Sequence, residues 1–143
     1  MVDRAGCVLV IEANAHLRRL ITTLLSALNI TQIIESRTPA ALTRHHLSDD
    51  RAPDLIIMDW AADPTDATLF AHQIRSGAWI DARTPILGLS GYLHHSILEQ
   101  AWQAGVDDLI AKPISALELL QRAAALLHER WTWQPSQDIM AAE

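Results

Sequence analysis

Short apolar runs alternate with segments of helical periodicity along almost the whole chain. Uninterrupted apolar runs are typical of strands buried on both faces of a parallel sheet, because a half-exposed strand alternates apolar and polar residues. Five such runs predict strands: CVLVIE at 7–12, TQIIES at 31–36, LIIM at 55–58, ILGL at 86–89 and DDLIAK at 107–112. Since a predicted helix follows each run, we expect one doubly wound α/β domain, a five-stranded parallel sheet with helices on both faces.

Polar residues that favour helix termini mark where the predicted helices begin. The second helix begins after Thr38, where proline occupies the first helical position, and runs to about Leu47. The third covers about 66–75 and has Leu69, Phe70 and Ile74 on its inward face, and the fourth ends at a glycine. The fifth runs from about 114 to about 130 and opens with capping-box spacing.

Composition limits the classes of function. The length of 143 residues suffices for one domain with a sizeable core. With 11 basic and 17 acidic residues the net charge is −6, which argues against nucleic acid as a partner. The single cysteine, Cys7, cannot form an internal disulfide, and no apolar run has the length of a signal peptide or a membrane span. We therefore expect a cytoplasmic protein that binds no membrane.

Ionisable or hydroxyl side chains follow four of the five predicted strands. Glu12 follows the first strand, Asp59 the third, Ser90 the fourth and Lys112 the fifth. Each residue alone could be an ordinary helix cap, turn residue or solvated charge. The carboxyl ends of parallel strands, however, meet at one edge of the sheet, where this class of fold binds its ligands. The joint placement predicts a functional site at that edge, with Asp59 as its central carboxylate.

Four segments together resemble the receiver domains of bacterial two-component response regulators, over roughly 7–130 of the chain. VLVIEAN is similar to the family's first strand with its acidic cluster, and PDLIIMDW to the strand that presents the phospho-accepting aspartate. TPILGLSG is similar to the strand that ends in the switch Thr or Ser, and AGVDDLIAKPIS to the last strand with its Lys-Pro pair. The resemblance implies the flavodoxin-like, CheY-like fold, with a receiver domain at 1–130 and a C-terminal tail at 131–143.

The resemblance also implies a phosphorylation site that works with a metal. Asp59 would accept a phosphoryl group from a histidine kinase or a histidine phosphotransferase. Ser90, as the switch residue, and Lys112 would then bind that group. Mg²⁺ would be held by Glu12, by Asp59 and by the backbone carbonyl of Ala61, because this ion takes hard oxygen ligands.

Output is implied to proceed by protein–protein contact. In the family the signal reaches the face formed by helix four, strand five and helix five, and the Lys-Pro bond that resembles Lys112–Pro113 is cis. The chain has no room for a DNA-binding or enzymatic output domain, so we expect a stand-alone regulator that is not an enzyme. Trp131 and Trp133 would either fold back on the domain or be exposed to a partner, in which case a homodimer is one option.

Three departures from the family pattern bear on this interpretation. Glu12 is followed by Ala13 where the family has two adjacent acids, so Mg²⁺ binding is expected to be weak. Leu109 occupies the position of the family's switch aromatic and has no ring to rotate, with Tyr92 as a conceivable substitute. The loop after the third strand, AADPTDA, keeps only Asp66 in register.

Other functions fit parts of the pattern. A phosphorylation-independent receiver-like adaptor, or pseudo-receiver, is favoured by the departures and opposed by the retained Asp59, Ser90 and Lys112. A phosphohydrolase with an aspartyl nucleophile would need a second acid two residues further on, where Ala61 stands. Nucleotide binding would need a glycine-rich loop after the first strand, and EANAHL has none. Phosphoryl acceptance on Asp59 remains the leading hypothesis.

Overall fold

The computed structural model describes residues 6–42, 52–61 and 64–132. Its strands form one sheet in the order β2-β1-β3-β4-β5, and every neighbouring pair is parallel. The strands are β1 Gly6–Ile11, β2 Ile30–Ser36, β3 Leu55–Asp59, β4 Ile86–Ser90 and β5 Asp108–Ala111. The predicted doubly wound parallel sheet is confirmed.

In the described part of the chain, four α-helices cover the sheet: α1 Ala15–Leu25, α2 Thr65–Arg75, α3 His95–Ala104 and α4 Ala116–Thr132. Asn14 caps α1, because its side-chain oxygen accepts a hydrogen bond of 3.0 Å from the backbone N–H of Leu17. Gly105 ends α3 with a φ of 99°, a left-handed conformation that glycine adopts without strain. No helix within the described ranges is long and apolar enough to cross a membrane.

The predicted second helix is wrong over its described part. Thr38 begins a helix as expected, and its hydroxyl oxygen accepts from the N–H of Ala41 at 3.1 Å. The helix is, however, a single 3₁₀ turn, Pro39–Ala41, and Leu42 is already extended at φ −77° and ψ 140°. Extended backbone there coincides with burial of the Leu42 side chain in the core. The remainder of the predicted helix, from residue 43 to about residue 47, lies outside the described residues.

Each strand divides its side chains between two core clusters, one on each face of the sheet. Along β1, Cys7, Leu9 and Ile11 pack in a first cluster with residues of α2 and α3, whereas Val8 and Val10 pack in a second cluster with residues of α1 and α4. Two-sided burial is the reason that the strands read as continuous apolar runs.

Leu69 does not face inward as predicted, since it is 58% exposed. Its neighbour Phe70 is buried, as is Ile74 one turn later. Because successive helical residues point about 100° apart, burying Phe70 turns Leu69 toward solvent. The predicted inward orientation is therefore confirmed for Phe70 and Ile74 and wrong for Leu69.

Arg75, in the last turn of α2, ties together the chain segments at the amino-terminal edge of the sheet. Its Nε and Nη2 both donate to the carbonyl oxygen of Gly105, at 3.0 and 2.6 Å. Nη1 donates to the carbonyl oxygens of Ala82 and Thr84 at 2.8 and 2.7 Å, and Nη2 donates to Asp107 Oδ2 at 2.7 Å. One guanidinium on α2 therefore satisfies acceptors from the end of α3 and from the segments that precede β4 and β5.

Replacing this arginine is expected to destabilise the protein strongly. Arg75→Met leaves three partly buried carbonyl groups without their donor, which should lower the free energy of unfolding by about 3 kcal/mol. Urea denaturation measures the change. Arg19→Met, which removes an exposed arginine of α1, serves as the control and should shift the same quantity by less than about 0.5 kcal/mol. Equal effects of the two substitutions would contradict the role given to Arg75.

The last turn of α4 folds back onto the sheet through Trp131. The Trp131 indole N–H donates to Asp54 Oδ1 at 3.2 Å, and the other carboxylate oxygen of Asp54 accepts from the N–H of Cys7 at 3.0 Å. The indole ring also lies against Gly6, where a Cβ would come within 3.0 Å of it. The fold-back interpretation is thus confirmed for Trp131, whereas Trp133 lies outside the described residues. A boundary between domain and tail at residue 130 stays a prediction.

Candidate functional site

Lys112 joins the two carboxylates of the predicted site. Its Nζ donates to Asp59 Oδ1 at 2.6 Å and to Glu12 Oε1 at 2.7 Å. Glu12 follows β1 and Asp59 ends β3, and these strands are neighbours at the point where the strand order reverses. Lys112 follows β5, so it reaches them from the other side of β4. The structure therefore brings together three residues that the sequence placed at separate strand ends, at the location where such sheets bind ligands.

The two carboxylates differ in exposure and in their remaining contacts. The Glu12 side chain is 4% exposed, and its second oxygen, Oε2, accepts from the backbone N–H of Asn14 at 3.0 Å. The Asp59 side chain is 31% exposed, and within the described part of the chain its carboxylate forms a hydrogen bond with Lys112 alone. Glu12 is thus a fixed internal anion, and Asp59 is the carboxylate that a reactant in solution can approach.

Lys112 carries the positive charge of the site. Burial by itself would lower the pKa of this ammonium, but the hydrogen bonds to Asp59 and Glu12, together with their charges, raise it above its ordinary value. Because the pKa is raised in the folded protein, the stability that the pairing contributes is fully present at neutral pH and is lost only as the pH rises through the raised pKa. The peptide bond between Lys112 and Pro113 is cis.

Ser90 lies at the same edge with its hydroxyl engaged by its own loop. The side chain is buried, and Oγ donates to the carbonyl of Tyr92 at 3.1 Å and accepts from the N–H of Tyr92 at 3.0 Å. The Ser90 carbonyl accepts from the backbone N–H of Lys112 at 2.8 Å, which ties the ends of β4 and β5 together. The hydroxyl can donate to a ligand only if it gives up the hydrogen bond that it donates to the carbonyl of Tyr92.

A cleft of about 200 Å³ opens beside Asp59. Its walls come from the ends of β1 and β3, the loop after β2 and the start of α2. They are formed by Ile11, Ala13, Arg37, Thr38, Pro39, Asp59, Ala61, Pro64, Asp66 and Ala67. The accessible carboxylate therefore faces a space large enough for a small anionic group.

Comparison with known proteins identifies the family. The model of the response regulator receiver domain matches residues 8–124. The chain belongs to this family. It is 28% identical over 120 residues to the phosphate regulon transcriptional regulatory protein PhoB of Pseudomonas aeruginosa, a match that covers 84% of this chain and 51% of that regulator. The chain spans about half the length of the curated relatives it matches first.

Solved receiver structures share the fold. The signal receiver domain of a signal transduction histidine kinase from Syntrophus aciditrophicus matches with a TM-score of 0.75 at 21% identity, over 91% of this chain and 96% of that one. The Mn²⁺-bound form of response regulator Rcp1 matches with a TM-score of 0.62 at 17% identity, over 90% and 94% of the two chains. Receiver domains are signalling domains, generally without enzymatic activity, and typically bind Mg²⁺ in their acidic pocket.

The donor set of this receiver domain fits a divalent cation only in part. Within the described ranges there is no group of three or more Asp, Glu, His or Cys side chains suited to a metal ion. Both oxygens of Glu12 already accept hydrogen bonds, and Ala13 offers a methyl group where the family has an acid. The cleft is lined by two carboxylate residues, Asp59 and Asp66, and by Ala61. Because Mg²⁺ keeps several waters and needs only one or two carboxylates, a weakened site is consistent with these residues.

Leu109 is held inward at the position of the receiver family's switch aromatic. It packs partly buried against the first core cluster, and its side chain covers Gly88 on β4 so closely that a Cβ there would overlap it. Tyr92, which the sequence suggested as a substitute for the switch aromatic, is half exposed. Leu109 thus couples β5 to β4 by packing and has no polar atom with which to report a change at Ser90.

Two arginines at this edge were missed by the sequence reasoning. Arg18 donates from Nη1 to the backbone carbonyl of Glu12 at 2.8 Å and pairs through Nε with Glu35 at 3.2 Å. Arg37 follows β2 directly and lines the cleft beside Asp59. The sequence could have indicated Arg37, because this residue follows the second predicted strand, whose end was the one strand end not included in the predicted site.

Proposed function

We propose that this chain accepts a phosphoryl group on Asp59 from a histidine kinase or a histidine phosphotransferase and signals through contacts with another protein. The proposal is based on the difference in exposure between the carboxylates of Asp59 and Glu12, which both bind the ammonium of Lys112. Asp59 is accessible and lies 2.6 Å from Lys112 Nζ, whereas Glu12 is buried and fully hydrogen-bonded. Membership of the receiver family supplies the class of reaction.

The site residues would share the chemistry of transfer as follows. A carboxylate oxygen of Asp59 forms a bond to phosphorus as the bond from phosphorus to the donor's imidazole nitrogen breaks, and the leaving imidazole keeps the electron pair and takes a proton. Lys112 would neutralise part of the charge on the phosphoryl oxygens, an effect that depends on its being fixed beforehand by Glu12. Ser90 would release Tyr92 and donate to a phosphoryl oxygen.

Mg²⁺ is proposed to bind weakly, through Asp59, Glu12 and the carbonyl of Ala61. When bound, the ion adds positive charge that offsets the charge of the phosphoryl oxygens. Ala13→Asp restores the missing acid, and we expect it to tighten Mg²⁺ binding by about tenfold, because affinity at such sites follows the number of charged ligands. Isothermal titration calorimetry measures this, with Ala13→Asn as the uncharged control. Equal affinity in wild type and Ala13→Asp would contradict the weak-site proposal.

Output is proposed to use the face formed by α3, β5 and α4, which corresponds to the helix four, strand five and helix five of the sequence prediction. Exposed apolar side chains on both of its helices, Trp102 on α3 and Leu117 on α4, support a protein partner there. The proposal includes a cytoplasmic location, the ability to form a homodimer, and partners that are neither nucleic acid nor membrane.

A phosphorylation-independent adaptor is the second candidate, and Leu109 is the observation that favours it. Because Leu109 is packed against Gly88 and carries no ring or hydroxyl, it offers no aromatic switch. A receiver that bound its partner in one conformation would need no such switch.

Intact-mass spectrometry after incubation with acetyl phosphate and Mg²⁺ tests the main proposal. We expect one phosphoryl adduct per chain that is lost on brief alkaline treatment, as an acyl phosphate is. If neither acetyl phosphate nor a histidine-phosphorylated phosphotransferase produced an adduct, the proposal would fail and the adaptor would take its place.

A further inference from the structure

The cleft beside Asp59 lacks the family's second acid and has an arginine among its lining residues. Ala13 and Arg37 both line it, so a methyl group stands at the position of the family's second acid and a guanidinium stands on the wall formed by the loop after β2. Lys112 is already shared between Glu12 and Asp59. The acids that line the cleft are Asp59, which is paired with Lys112, and the exposed Asp66. The missing acid and the presence of Arg37 each raise the local potential, so both features favour an anion over a divalent cation in this space.

The chemistry of arginine suits such an anion. A guanidinium is charged at every physiological pH and can donate two parallel hydrogen bonds to phosphoryl oxygens. Arg37 is exposed, and the described residues provide no carboxylate that forms an ion pair with it, whereas the neighbouring Arg18 is held by Glu35 and by the carbonyl of Glu12. Of the two arginines at this edge, Arg37 is the one that lines the cleft together with Asp59.

We propose that Arg37 binds the phosphoryl group as Asp59 accepts it, so that transfer depends little on a divalent cation. The proposal rests on the proposed function. In the step with acetyl phosphate, the bond from phosphorus to Asp59 oxygen forms while the bond from phosphorus to the acetyl oxygen breaks, and acetate leaves with the electron pair. Arg37 donates hydrogen bonds to the phosphoryl oxygens and exchanges no proton. Its charge does part of the neutralisation that the family assigns to the metal.

The test compares phosphorylation with acetyl phosphate in excess EDTA and in excess Mg²⁺, followed by intact mass, for four proteins. Wild type should react in EDTA at a rate within about threefold of its rate in Mg²⁺. Arg37→Gln should lose about tenfold or more of the EDTA rate and distinctly less of the Mg²⁺ rate. Arg37→Lys should have an EDTA rate between those of wild type and Arg37→Gln, because lysine keeps the charge but not the paired donors. Arg122→Gln, which removes an arginine bound to Asp108 at the opposite edge of the sheet, should behave as wild type.

A second readout does not depend on phosphorylation. Mn²⁺ titration followed by the electron paramagnetic resonance signal of the free ion should give tighter binding to Arg37→Gln than to wild type, because a like charge has been removed from the cleft. A substitution that merely damaged the site would weaken Mn²⁺ binding instead. Unchanged or weaker binding, or an EDTA rate that Arg37→Gln shares with wild type, would overturn the inference.

A wild-type protein that reacts only with Mg²⁺ present would also overturn it while leaving the proposed function intact. Failure of the proposed function has a different signature, since wild type would then form no adduct in Mg²⁺ either, and the inference would fall with it.

Discussion

Replacing Asp59 by asparagine is expected to abolish the phosphoryl adduct while leaving the fold in place. The asparagine side chain has no carboxylate oxygen to attack phosphorus, so the adduct should fall to background with every donor. Lys112 keeps Glu12 as a partner, at 2.7 Å, and therefore loses only the more exposed of its two ion pairs. We expect the free energy of unfolding to change by less than about 1 kcal/mol, so loss of the adduct cannot be attributed to unfolding.

Asp66→Asn is the matched control for this substitution. Asp66 is an exposed carboxylate that lines the same cleft, and it lies in the first turn of α2. The control removes the same charge from the same space, and the adduct should persist. Persistence of the adduct in Asp59→Asn, or its loss in Asp66→Asn alone, would place the acceptor on another residue.

Lys112→Met is expected to have the largest combined effect on stability and reaction. It leaves Glu12 buried without the ammonium that neutralises it, and breaking a buried pair from one side is costly. Since a quarter of the Lys112 side chain is exposed, we expect a loss of about 2 to 3 kcal/mol, below the range for a fully buried pair. Loss of the fixed charge should also slow phosphorylation by about 10²-fold.

A double variant separates these two effects. Adding Glu12→Gln to Lys112→Met removes the unpaired charge, so most of the lost stability should return in urea denaturation. Phosphorylation should remain slow, because the charge beside the phosphoryl oxygens is still missing. Rescue of neither property, or of both together, would contradict the separate roles given to Glu12 and Lys112.

The pattern of apolar runs was enough to predict the sheet, but not all of its helices. Strand positions such as Leu9 and Ile57 are buried on opposite faces, and this two-sided burial produces the uninterrupted runs from which the strands were predicted. The extended backbone of Leu42 and the exposure of Leu69 could not be predicted from this pattern. Whether Leu42 continues a helix or turns into the core, and whether Leu69 is buried together with Phe70, depends on tertiary packing that helical periodicity does not encode.

The site was predicted in the parts that lie at strand ends, because parallel strands bring those ends together whatever the helices do. Glu12, Asp59, Ser90 and Lys112 all meet at the predicted edge. The hydrogen bond from the backbone N–H of Asn14 to Glu12 Oε2 could not be predicted, because it depends on side-chain geometry that spacing along the chain does not reveal.

The most direct test of phosphoryl acceptance on Asp59 is the location of the phosphoryl group. Protein phosphorylated by acetyl phosphate is reduced with borohydride, which converts an aspartyl phosphate to homoserine, and is then digested and sequenced by mass spectrometry. We predict homoserine at position 59 and at no other position. Homoserine at another aspartate, or phosphate retained on a histidine or a hydroxyl side chain, would contradict the role given to Asp59.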